Sequence, residues 1–415
     1  MNKVNVKTID EAHRNIAGVV LKTPLWFSER LSKKYHAKIY LKREDLQKVR
    51  SYKIRGAYNL MSSLSNEQRK HGIVCASAGN HAQGVALSAS TLRIKSVIFM
   101  PTVTPLQKIN RVKHFGDGWV EIKLIGKTYD ETCAKAKKYC KKEKAVFVHP
   151  FDNDKVISGQ GTVGKEIYDE LQESADYIFC PIGGGGLISG VSIYMHAKSK
   201  KTEIVGVEPS GAAGMYQSIK MGKVVTLEKI DTFVDGAAVK TVGTETFAIT
   251  KRLVKKFLIV DEGKVCSAII DLYQNEGIVV EPAGALSITA LDAYADKLKD
   301  KTVVCVLSGG NNDILRYPEI MEKSLAYRGL RHYFLIEFGQ KPGQLRKFVD
   351  SALGPTDDIT RFEYIKKNSK EIGPALVGIE LTKKEDLKPL TNRMNKLGLT
   401  YVPITSSDLL YSYLI

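Results

Sequence analysis

Four consecutive glycines and a leucine stand between a strand-like run and a helix-like segment: Gly183, Gly184, Gly185, Gly186 and Leu187. Glycine loses more conformational entropy on folding than other residues, so four in a row are favourable only where bare backbone N–H groups must close on a ligand. The positive end of the helix dipole that follows makes a phosphate group the natural ligand. The spacing does not match the dinucleotide pattern G-x-G-x-x-G/A, and no Walker lysine follows. A flexible glycine turn without a ligand is the alternative.

Lys53 lies near the start of a helix-like segment, in the sequence S-Y-K-I-R-G that follows the charged stretch K-R-E-D. A single lysine in a basic chain is ordinarily a solvated surface residue. Lys53 is instead surrounded by apolar and small residues, and partial desolvation near a helix start lowers the pKa of an amine. Such an amine acts as a nucleophile and as a base. We therefore predict that Lys53 is a reactive amine.

Two further loops of small and polar residues follow strand-like runs. The first, S-A-G-N-H, contains Ser77, Gly79 and Asn80, and the second, S-G-G-N-N, begins at Ser308. Both suit a carboxylate or a phosphate, although an ordinary helix cap or turn is an equal alternative. We interpret His81 as a hydrogen-bonded histidine at a helix start rather than a base. Three such loops and a reactive lysine indicate a phosphorylated cofactor that reacts with an amine, as pyridoxal phosphate does.

Five motifs also occur in the order and spacing of a known family: S-Y-K-I-R-G, S-A-G-N-H-A-Q-G, G-G-G-G-L, V-E-P-A-G-A and S-G-G-N-N. From about Thr23 onward the chain resembles the fold-type-II pyridoxal-phosphate enzymes, and among them the biosynthetic threonine dehydratases. The segment from Arg331 resembles the ACT-like regulatory domain of that family, in one copy. The resemblance implies β-elimination and deamination of L-threonine to 2-oxobutanoate and ammonia, the committed step of isoleucine biosynthesis, under feedback control.

The resemblance also implies roles for individual residues. Lys53 carries the cofactor as a Schiff base and removes the Cα proton of the substrate. Asn80 contacts the 3-hydroxyl of the cofactor, and Ser308 lies at the pyridine nitrogen without protonating it. Glu281 matches an acidic position near the cofactor, and its role is open. The other implied contacts are Gly183, Gly184, Gly185, Gly186 and Leu187 with the cofactor phosphate, and Ser77, Gly79 and Asn80 with the substrate carboxylate.

Short apolar runs that alternate with helical patterns predict strands at Ile39–Leu41, Ile73–Ala76, Val97–Met100, Val146–Val148, Tyr177–Cys180, Ile204–Val207 and Val303–Leu307. This alternation predicts an α/β fold with a largely parallel sheet, whose carboxyl edge binds ligands. The resemblance specifies two open α/β subdomains, as in the tryptophan synthase β subunit. We expect this catalytic domain to span residues 1–328, with the helix Pro318–Arg328 as a connector.

The pattern changes to β-α-β-β-α-β after Arg328, which is the order of a ferredoxin-like unit, here expected at residues 329–415. Pro342 is expected in the first turn of its helix, where a missing N–H costs nothing, and Pro389 weakens the second helix prediction. The predicted elements are strands at Arg331–Phe338, Ile359–Lys367, Ala375–Leu381 and Thr400–Ile404, and helices at Pro342–Leu353 and Lys384–Leu397.

The net charge of +17 is spread along the chain. Even the dense run Lys135–Lys144 fits a solvated helix whose other face is apolar, with Tyr129, Cys133, Ala136 and Cys140, and we predict that the two cysteines pack in the core. We therefore expect no nucleic-acid partner. The six cysteines lack C-x-x-C or zinc spacing, so we interpret them as reduced structural thiols and expect no metal.

The 415 residues suggest two or three domains. Neither a signal-peptide pattern nor an apolar run of roughly 18 residues occurs, so we expect a cytoplasmic protein without a membrane partner. A serine racemase or catabolic dehydratase, an amino-acid sensor and a nucleic-acid binder are rival interpretations, and the segment after Arg331 favours the biosynthetic type. The family further implies a homotetramer, isoleucine as an effector and valine as an opposing activator.

Overall fold

The chain folds into two units with separate apolar cores, in a computed structural model that describes residues 3–171, 173–364, 371–405 and 408–414. Met1–Asp313 form the first unit and Ile314–Ile415 the second. The division therefore precedes the helix that we expected to connect the domains. Tyr333 donates a hydrogen bond to Glu322 of that helix at 2.6 Å, so the helix packs with the second unit. Within the described residues, no helix is long and apolar enough to cross a membrane.

Strands and helices alternate through the first unit. The strands are β1 (Leu25–Phe27), β2 (Lys38–Arg43), β3 (Ile73–Ala76), β4 (Ser96–Met100), β5 (Val120–Leu124), β6 (Val146–Phe147), β7 (Tyr177–Pro181), β8 (Glu203–Pro209), β9 (Lys256–Val260) and β10 (Thr302–Leu307). The helices are α1 (Val6–Ile16), α2 (Glu29–Tyr35), α3 (Lys53–Ser62), α4 (Asn66–His71), α5 (Asn80–Leu92), α6 (Leu106–Gly116), α7 (Tyr129–Lys142), α8 (Asp154–Glu170), α9 (Gly186–Lys198), α10 (Gly214–Met221), α11 (Thr244–Leu253), α12 (Glu262–Glu276) and α13 (Pro282–Leu298).

Two sheets organise these strands. The larger has the order β1-β2-β10-β7-β8-β9, with β1 antiparallel to β2 and the other pairs parallel. The smaller has the order β5-β4-β3-β6 and is parallel throughout. Every residue of β10 is buried, as expected for a central parallel strand covered on both faces. The predicted α/β fold with two open sheets is confirmed.

All the predicted strands of this unit are present, and β3 has the predicted bounds. Strands β1, β5 and β9 were not predicted, and each lies at an edge of its sheet. Edge strands keep one side in solvent, and β1 is short while β5 alternates apolar with charged residues, so neither carries a continuous apolar run. The apolar run F-L-I-V in β9 is long enough to predict a strand, so β9 could have been predicted from the sequence.

The second unit has the predicted ferredoxin-like order. Its elements are α14 (Tyr317–Tyr327), β11 (Arg331–Gly339), α15 (Gln344–Ala352), β12 (Asp358–Tyr364), β13 (Ile372–Glu380), α16 (Leu387–Lys396) and β14 (Thr400–Ile404). The sheet order β12-β13-β11-β14 is antiparallel throughout, and the strands share a core with α15 and α16. The alternating residues Phe334, Ile336 and Phe338 of β11 supply one side of this core.

Pro342 lies outside α15, whereas Pro389 lies within α16. The prediction that Pro342 lies in a helical turn is wrong, because Gly343 follows it with a φ of 85° and α15 begins only at Gln344. Pro389 is the third residue of α16, where a backbone N–H has no helical partner, so it does not break the helix. Of the predicted strand Ile359–Lys367, residues 365–367 lie outside the described residues.

The apolar face predicted for α7 is only partly correct. Ala136 and Cys140 are buried, and Cys133 is half-buried. Tyr129, the first residue of α7, is 42% exposed, so the buried part of this apolar face begins after it. The six cysteines all lie within the described residues, and none of them forms a disulfide bond.

Candidate active site

A cavity of about 270 Å³ lies at the carboxyl ends of strands from both sheets of the first unit. Its wall includes residues from the segments that follow four strands: Ser77 after β3, Pro101 after β4, Gly183 after β7 and Asn311 after β10. Open parallel sheets bind their ligands at this edge. Among the described residues, no group of histidine, cysteine, aspartate and glutamate side chains is arranged to hold a metal ion.

Lys53 lies on the wall of this cavity, at the N-terminus of α3. Its Nζ donates a hydrogen bond to the backbone oxygen of Pro150 at 3.1 Å. Burial lowers the pKa of Lys53 to about 8, although the negative charge of Glu281 opposes the shift. An amine of this kind is deprotonated far more readily than a surface lysine, as a nucleophile or base requires.

The glycine loop between β7 and α9 forms part of the same wall. Three of its residues line the cavity: Gly183, Gly184 and Gly186. Gly185 and Leu187 are not among the described residues that line it, and Gly185 has a φ of 93°, which favours glycine. A side chain on Gly184 would collide with the ring of Phe151. The first N–H groups of α9, including that of Leu187, have no partner within the helix, so the loop suits a phosphate.

The S-A-G-N-H loop runs from β3 into α5, and Ser77, Gly79 and Asn80 all line the cavity. The Gly79 N–H donates to the hydroxyl of Ser77 at 3.2 Å, which holds the turn. The Nε2 of buried His81 lies 2.9 Å from the carbonyl oxygen of Val148, so Nε2 carries the proton and donates it. Burial lowers the pKa of His81 to about 3. This neutral, hydrogen-bonded ring agrees with our interpretation.

Ser308 is buried and is not among the described residues that line the cavity. Its hydroxyl donates to the backbone oxygen of Ala283 at 3.2 Å. Its own backbone oxygen accepts a hydrogen bond from the N–H of Tyr52 at 3.1 Å. Because Tyr52 precedes Lys53, this bond holds the end of β10 against the turn that carries the lysine.

Glu281 lies on the cavity wall and precedes α13. Its Oε1 accepts a hydrogen bond from the Nδ2 of Asn80 at 2.6 Å. Burial raises the pKa of Glu281 to about 7, with the negative charge of Asp235 acting in the same direction. A Cβ on Gly309 would meet this carboxyl group at 2.5 Å, so the backbone around it is closely packed.

Several charged residues of the wall were not predicted. Lys108 of α6 forms an ion pair with Asp235 at 2.7 Å, and both line the cavity. Arg111, one turn further along α6, donates to the Oδ1 of Asn311 at 3.3 Å. Tyr129 also lines the cavity. Charged residues on an amphipathic helix resemble a solvated face, so the sequence offered no signal for these contacts.

A buried ion-pair network lies beneath the lysine. Arg55 donates to Glu166 at 2.6 and 2.8 Å and to Glu44 at 2.8 and 2.7 Å. The Nζ of Lys42 lies 2.8 Å from Glu166. All four side chains are buried. Arg55 lies two residues after Lys53, so these bonds fix the start of α3 against α8 and the segment that follows β2.

The family of pyridoxal-phosphate dependent enzymes matches residues 16–309. The chain belongs to this family. Its cofactor is therefore pyridoxal phosphate. The matched segment contains all the cavity loops named above except residues 310–312 of the S-G-G-N-N loop. A second family, the C-terminal regulatory domain of threonine dehydratase, matches residues 322–414, which contain the ferredoxin-like sheet.

Curated relatives match the chain over nearly its whole length. The biosynthetic L-threonine dehydratase IlvA of Halalkalibacterium halodurans is 52% identical over 415 residues, which is 100% of each chain. The biosynthetic L-threonine dehydratase IlvA of Bacillus subtilis is 53% identical over 412 residues, which is 99% of this chain and 98% of the relative.

Solved structures also match most of the chain. The processed form of threonine deaminase isoform 2 from Solanum lycopersicum has a TM-score of 0.72 at 39% identity, and the match covers 78% of this chain and 96% of that one. Maize serine racemase has a TM-score of 0.72 at 32% identity, and the match covers 78% of this chain and 98% of that one. The same fold thus serves elimination and racemisation, so the fold alone does not decide the reaction.

The residues of the cavity fit pyridoxal phosphate, which carries an aldehyde and a phosphate. The amine of Lys53 can condense with the aldehyde. The glycine loop can hold the phosphate, because Gly183, Gly184 and Gly186 present only bare backbone to the cavity. The neutral ring of His81 and the amide of Asn80 also line the cavity and give it an uncharged polar surface.

Proposed function

We propose that this chain is a pyridoxal-phosphate-dependent L-threonine dehydratase of isoleucine biosynthesis, which converts L-threonine to 2-oxobutanoate and ammonia. The observation that carries the proposal is the position of the Lys53 amine, with its pKa lowered to about 8, in one cavity with the glycine loop. The full-length relatives named above as biosynthetic threonine dehydratases support the substrate. The regulatory family matched by the second unit supports feedback control.

Bound pyridoxal phosphate supplies an electron sink that makes the Cα–H of an attached amino acid acidic. Lys53 would hold the cofactor through its Nζ. The released Nζ is then the general base that removes the Cα proton, and its lowered pKa keeps a useful fraction of the amine neutral. The hydrogen bond to Pro150 holds this amine at the cavity wall.

The remaining residues bind and orient. Ser77, Gly79 and Asn80 hold the substrate carboxylate near the N-terminus of α5, where the helix dipole favours an anion. Ser308 would offer a neutral hydroxyl to the pyridine nitrogen, with its hydrogen turned from the oxygen of Ala283. A hydroxyl would leave that nitrogen unprotonated, which would favour loss of the β-hydroxyl over reprotonation at Cα. The phosphate is held by the backbone of Gly183, Gly184, Gly185, Gly186 and Leu187.

Regulation and assembly complete the proposal. The second unit binds isoleucine as an inhibitor and valine as an opposing activator, the chain works as a homotetramer, and it resides in the cytoplasm. The independent core of the second unit supports a regulatory ligand site separate from the cavity.

The deciding experiment combines a spectrum with a product assay. The purified protein should show an absorption band near about 410–420 nm that borohydride bleaches, and Lys53→Ala should lack it while remaining folded. Threonine should then yield 2-oxobutanoate and ammonia in equal amounts. Absence of the band would refute the cofactor assignment, and faster formation of D-serine from L-serine than of 2-oxobutanoate from threonine would identify a racemase instead.

A further inference from the structure

Four side chains form a continuous row of hydrogen bonds along one wall of the cavity: Arg111, Asn311, Asn80 and Glu281. Arg111 donates to the Oδ1 of Asn311 at 3.3 Å. The Nδ2 of Asn311 donates to the Oδ1 of Asn80 at 2.6 Å. The Nδ2 of Asn80 donates to the Oε1 of Glu281 at 2.6 Å. The row thus joins α6, the segment after β10, the start of α5 and the residue before α13.

The orientation of the Asn311 amide is fixed from both ends. Its Nδ2 also lies 2.8 Å from the backbone oxygen of Val49, and a carbonyl oxygen can only accept a hydrogen bond. Its Oδ1 faces the guanidinium of Arg111, which can only donate. Exchange of the nitrogen and oxygen of Asn311 would therefore create two repulsive contacts, so the assignment does not depend on telling the two atoms apart.

The orientation of Asn80 follows from that of Asn311. Because Asn311 directs a donor at Asn80, the atom that receives it must be the amide oxygen. The amide nitrogen then faces Glu281, whose carboxyl oxygen accepts one of its two hydrogens. Among the described residues, the other hydrogen has no acceptor, and Asn80 lines the cavity.

We infer that Asn311 is a positioning residue that holds the Asn80 carboxamide, together with Glu281, so that an N–H rather than a carbonyl oxygen faces the bound cofactor. The inference rests on the proposed function, in which an oxygen of the pyridoxal ring is the group opposite Asn80. An N–H stabilises that oxygen in its anionic form, whereas a carbonyl oxygen would repel it. A flipped Asn80 would also place two donors together at Asn311.

The test replaces Asn311 in the holoenzyme. Asn311→Ala should raise the dissociation constant of pyridoxal phosphate by about tenfold or more. The Asn80 amide then loses its fixed orientation, and with it the hydrogen bond to the charged ring oxygen of the cofactor. The substitution should also lower the ratio of the long-wavelength band to the shorter-wavelength band of the neutral 3-hydroxyl form. The matched control is Asn15→Ala, which removes another asparagine pair, between Asn15 and Asn59 at 3.1 Å, on helices α1 and α3. The control should leave both readings unchanged.

A double-variant cycle shows whether Asn311 acts through Asn80. The Asn80→Ala and Asn311→Ala effects on cofactor affinity should overlap, so that the second substitution adds almost nothing to the first. Additive effects, or a wild-type spectrum in Asn311→Ala beside an altered one in Asn80→Ala, would overturn the inference. Absence of the visible band from the wild-type protein would instead refute the proposed function.

Asn311→Asp keeps the size of the side chain and provides a second route if Asn311→Ala does not fold. A carboxylate cannot donate to Asn80 or Val49, so the amide of Asn80 should turn its nitrogen toward the new acceptor. The band ratio should then fall further than in Asn311→Ala. A ratio equal to that of the wild-type holoenzyme would contradict the positioning role.

Discussion

Phe151 packs so closely against the α-carbon of Gly184 that a Cβ on the glycine would overlap its ring. The ring and the loop come from segments that follow β6 and β7, strands of different sheets. The contact therefore sets how closely the glycine backbone of one sheet approaches the cavity wall supplied by the other. It also makes the absence of a side chain at position 184 a requirement of packing as well as of ligand access.

Gly184→Ala should weaken cofactor binding strongly. The clash should displace the loop backbone from the phosphate, and the cost of such overpacking, about 1–3 kcal/mol, corresponds to roughly 5–150-fold in affinity. Equilibrium dialysis with pyridoxal phosphate measures the change. Gly214→Ala is the matched control, because its Cβ would find its nearest neighbour at 3.5 Å. Equal affinities of the two variants would show that the Gly184 loop does not hold the cofactor.

The pH dependence of covalent cofactor attachment should report the pKa of Lys53. In the protein freed of cofactor, burial lowers this pKa to about 8, and only the neutral amine attacks an aldehyde. The attachment rate should therefore rise with pH and level off above about 8. Stopped-flow absorbance after mixing with pyridoxal phosphate measures the rate. A rise that continues to about 10.4 would mean that the amine behaves as an ordinary solvated lysine.

The sequence predicted which loops bind ligands, and the reason is topological. Ser77 and Gly183 follow central parallel strands of different sheets, and such sheets bind ligands at the carboxyl ends of their strands, so each motif could be placed at a ligand-binding edge without coordinates. The partners of those loops could not be placed. Arg111 and Asn311 are 200 residues apart and meet through side chains, and neither residue type marks such a contact in a sequence. At Pro342, the positive φ of the next residue overrode a correct general rule about helix starts.

Glu281→Gln should change the pH dependence of folding stability. Burial raises the folded-state pKa of Glu281 to about 7, so between about pH 4.5 and 7 the folded protein retains a proton that the unfolded chain has lost. The wild-type carboxyl therefore destabilises the fold progressively as pH rises through this window, by roughly 3 kcal/mol in total. Glutamine cannot ionise and still offers an acceptor to Asn80. Urea unfolding of the cofactor-free proteins should show the variant gaining stability relative to wild type from about pH 5 to about pH 8. A constant difference would place the Glu281 pKa outside this window.

Arg55→Met should destabilise the first unit by about 3–5 kcal/mol, because it leaves Glu44 and Glu166 buried without their shared partner. Arg30→Met is the control, since Arg30 is a third exposed and pairs at the surface, where loss of an ion pair costs about 1 kcal/mol or less. Urea unfolding measures both. Similar losses in the two variants would mean that the buried network contributes no more than a surface pair.

Isoleucine sensitivity should reside in the second unit. This unit begins at Ile314 and has its own sheet and core, while the cavity residues all lie in the first unit. A chain that ends at Asp313 lacks the whole second unit, including α14, which is joined to β11 through Glu322 and Tyr333. This shortened chain should retain threonine turnover. The full-length protein should show a shift of its threonine saturation curve with isoleucine, by about 5–150-fold in affinity, and the shortened chain none.

Calorimetry of residues 314–415 with isoleucine provides a reading that does not depend on the shortened enzyme being soluble. Binding to this fragment, with valine competing, would agree with a regulatory site in the ferredoxin-like unit. Equal inhibition of the shortened and full-length enzymes would place the effector site in the first unit. Full-length enzyme that ignores isoleucine at every threonine concentration would refute feedback by this amino acid, because coupling between two sites must appear in the affinity of each for its own ligand.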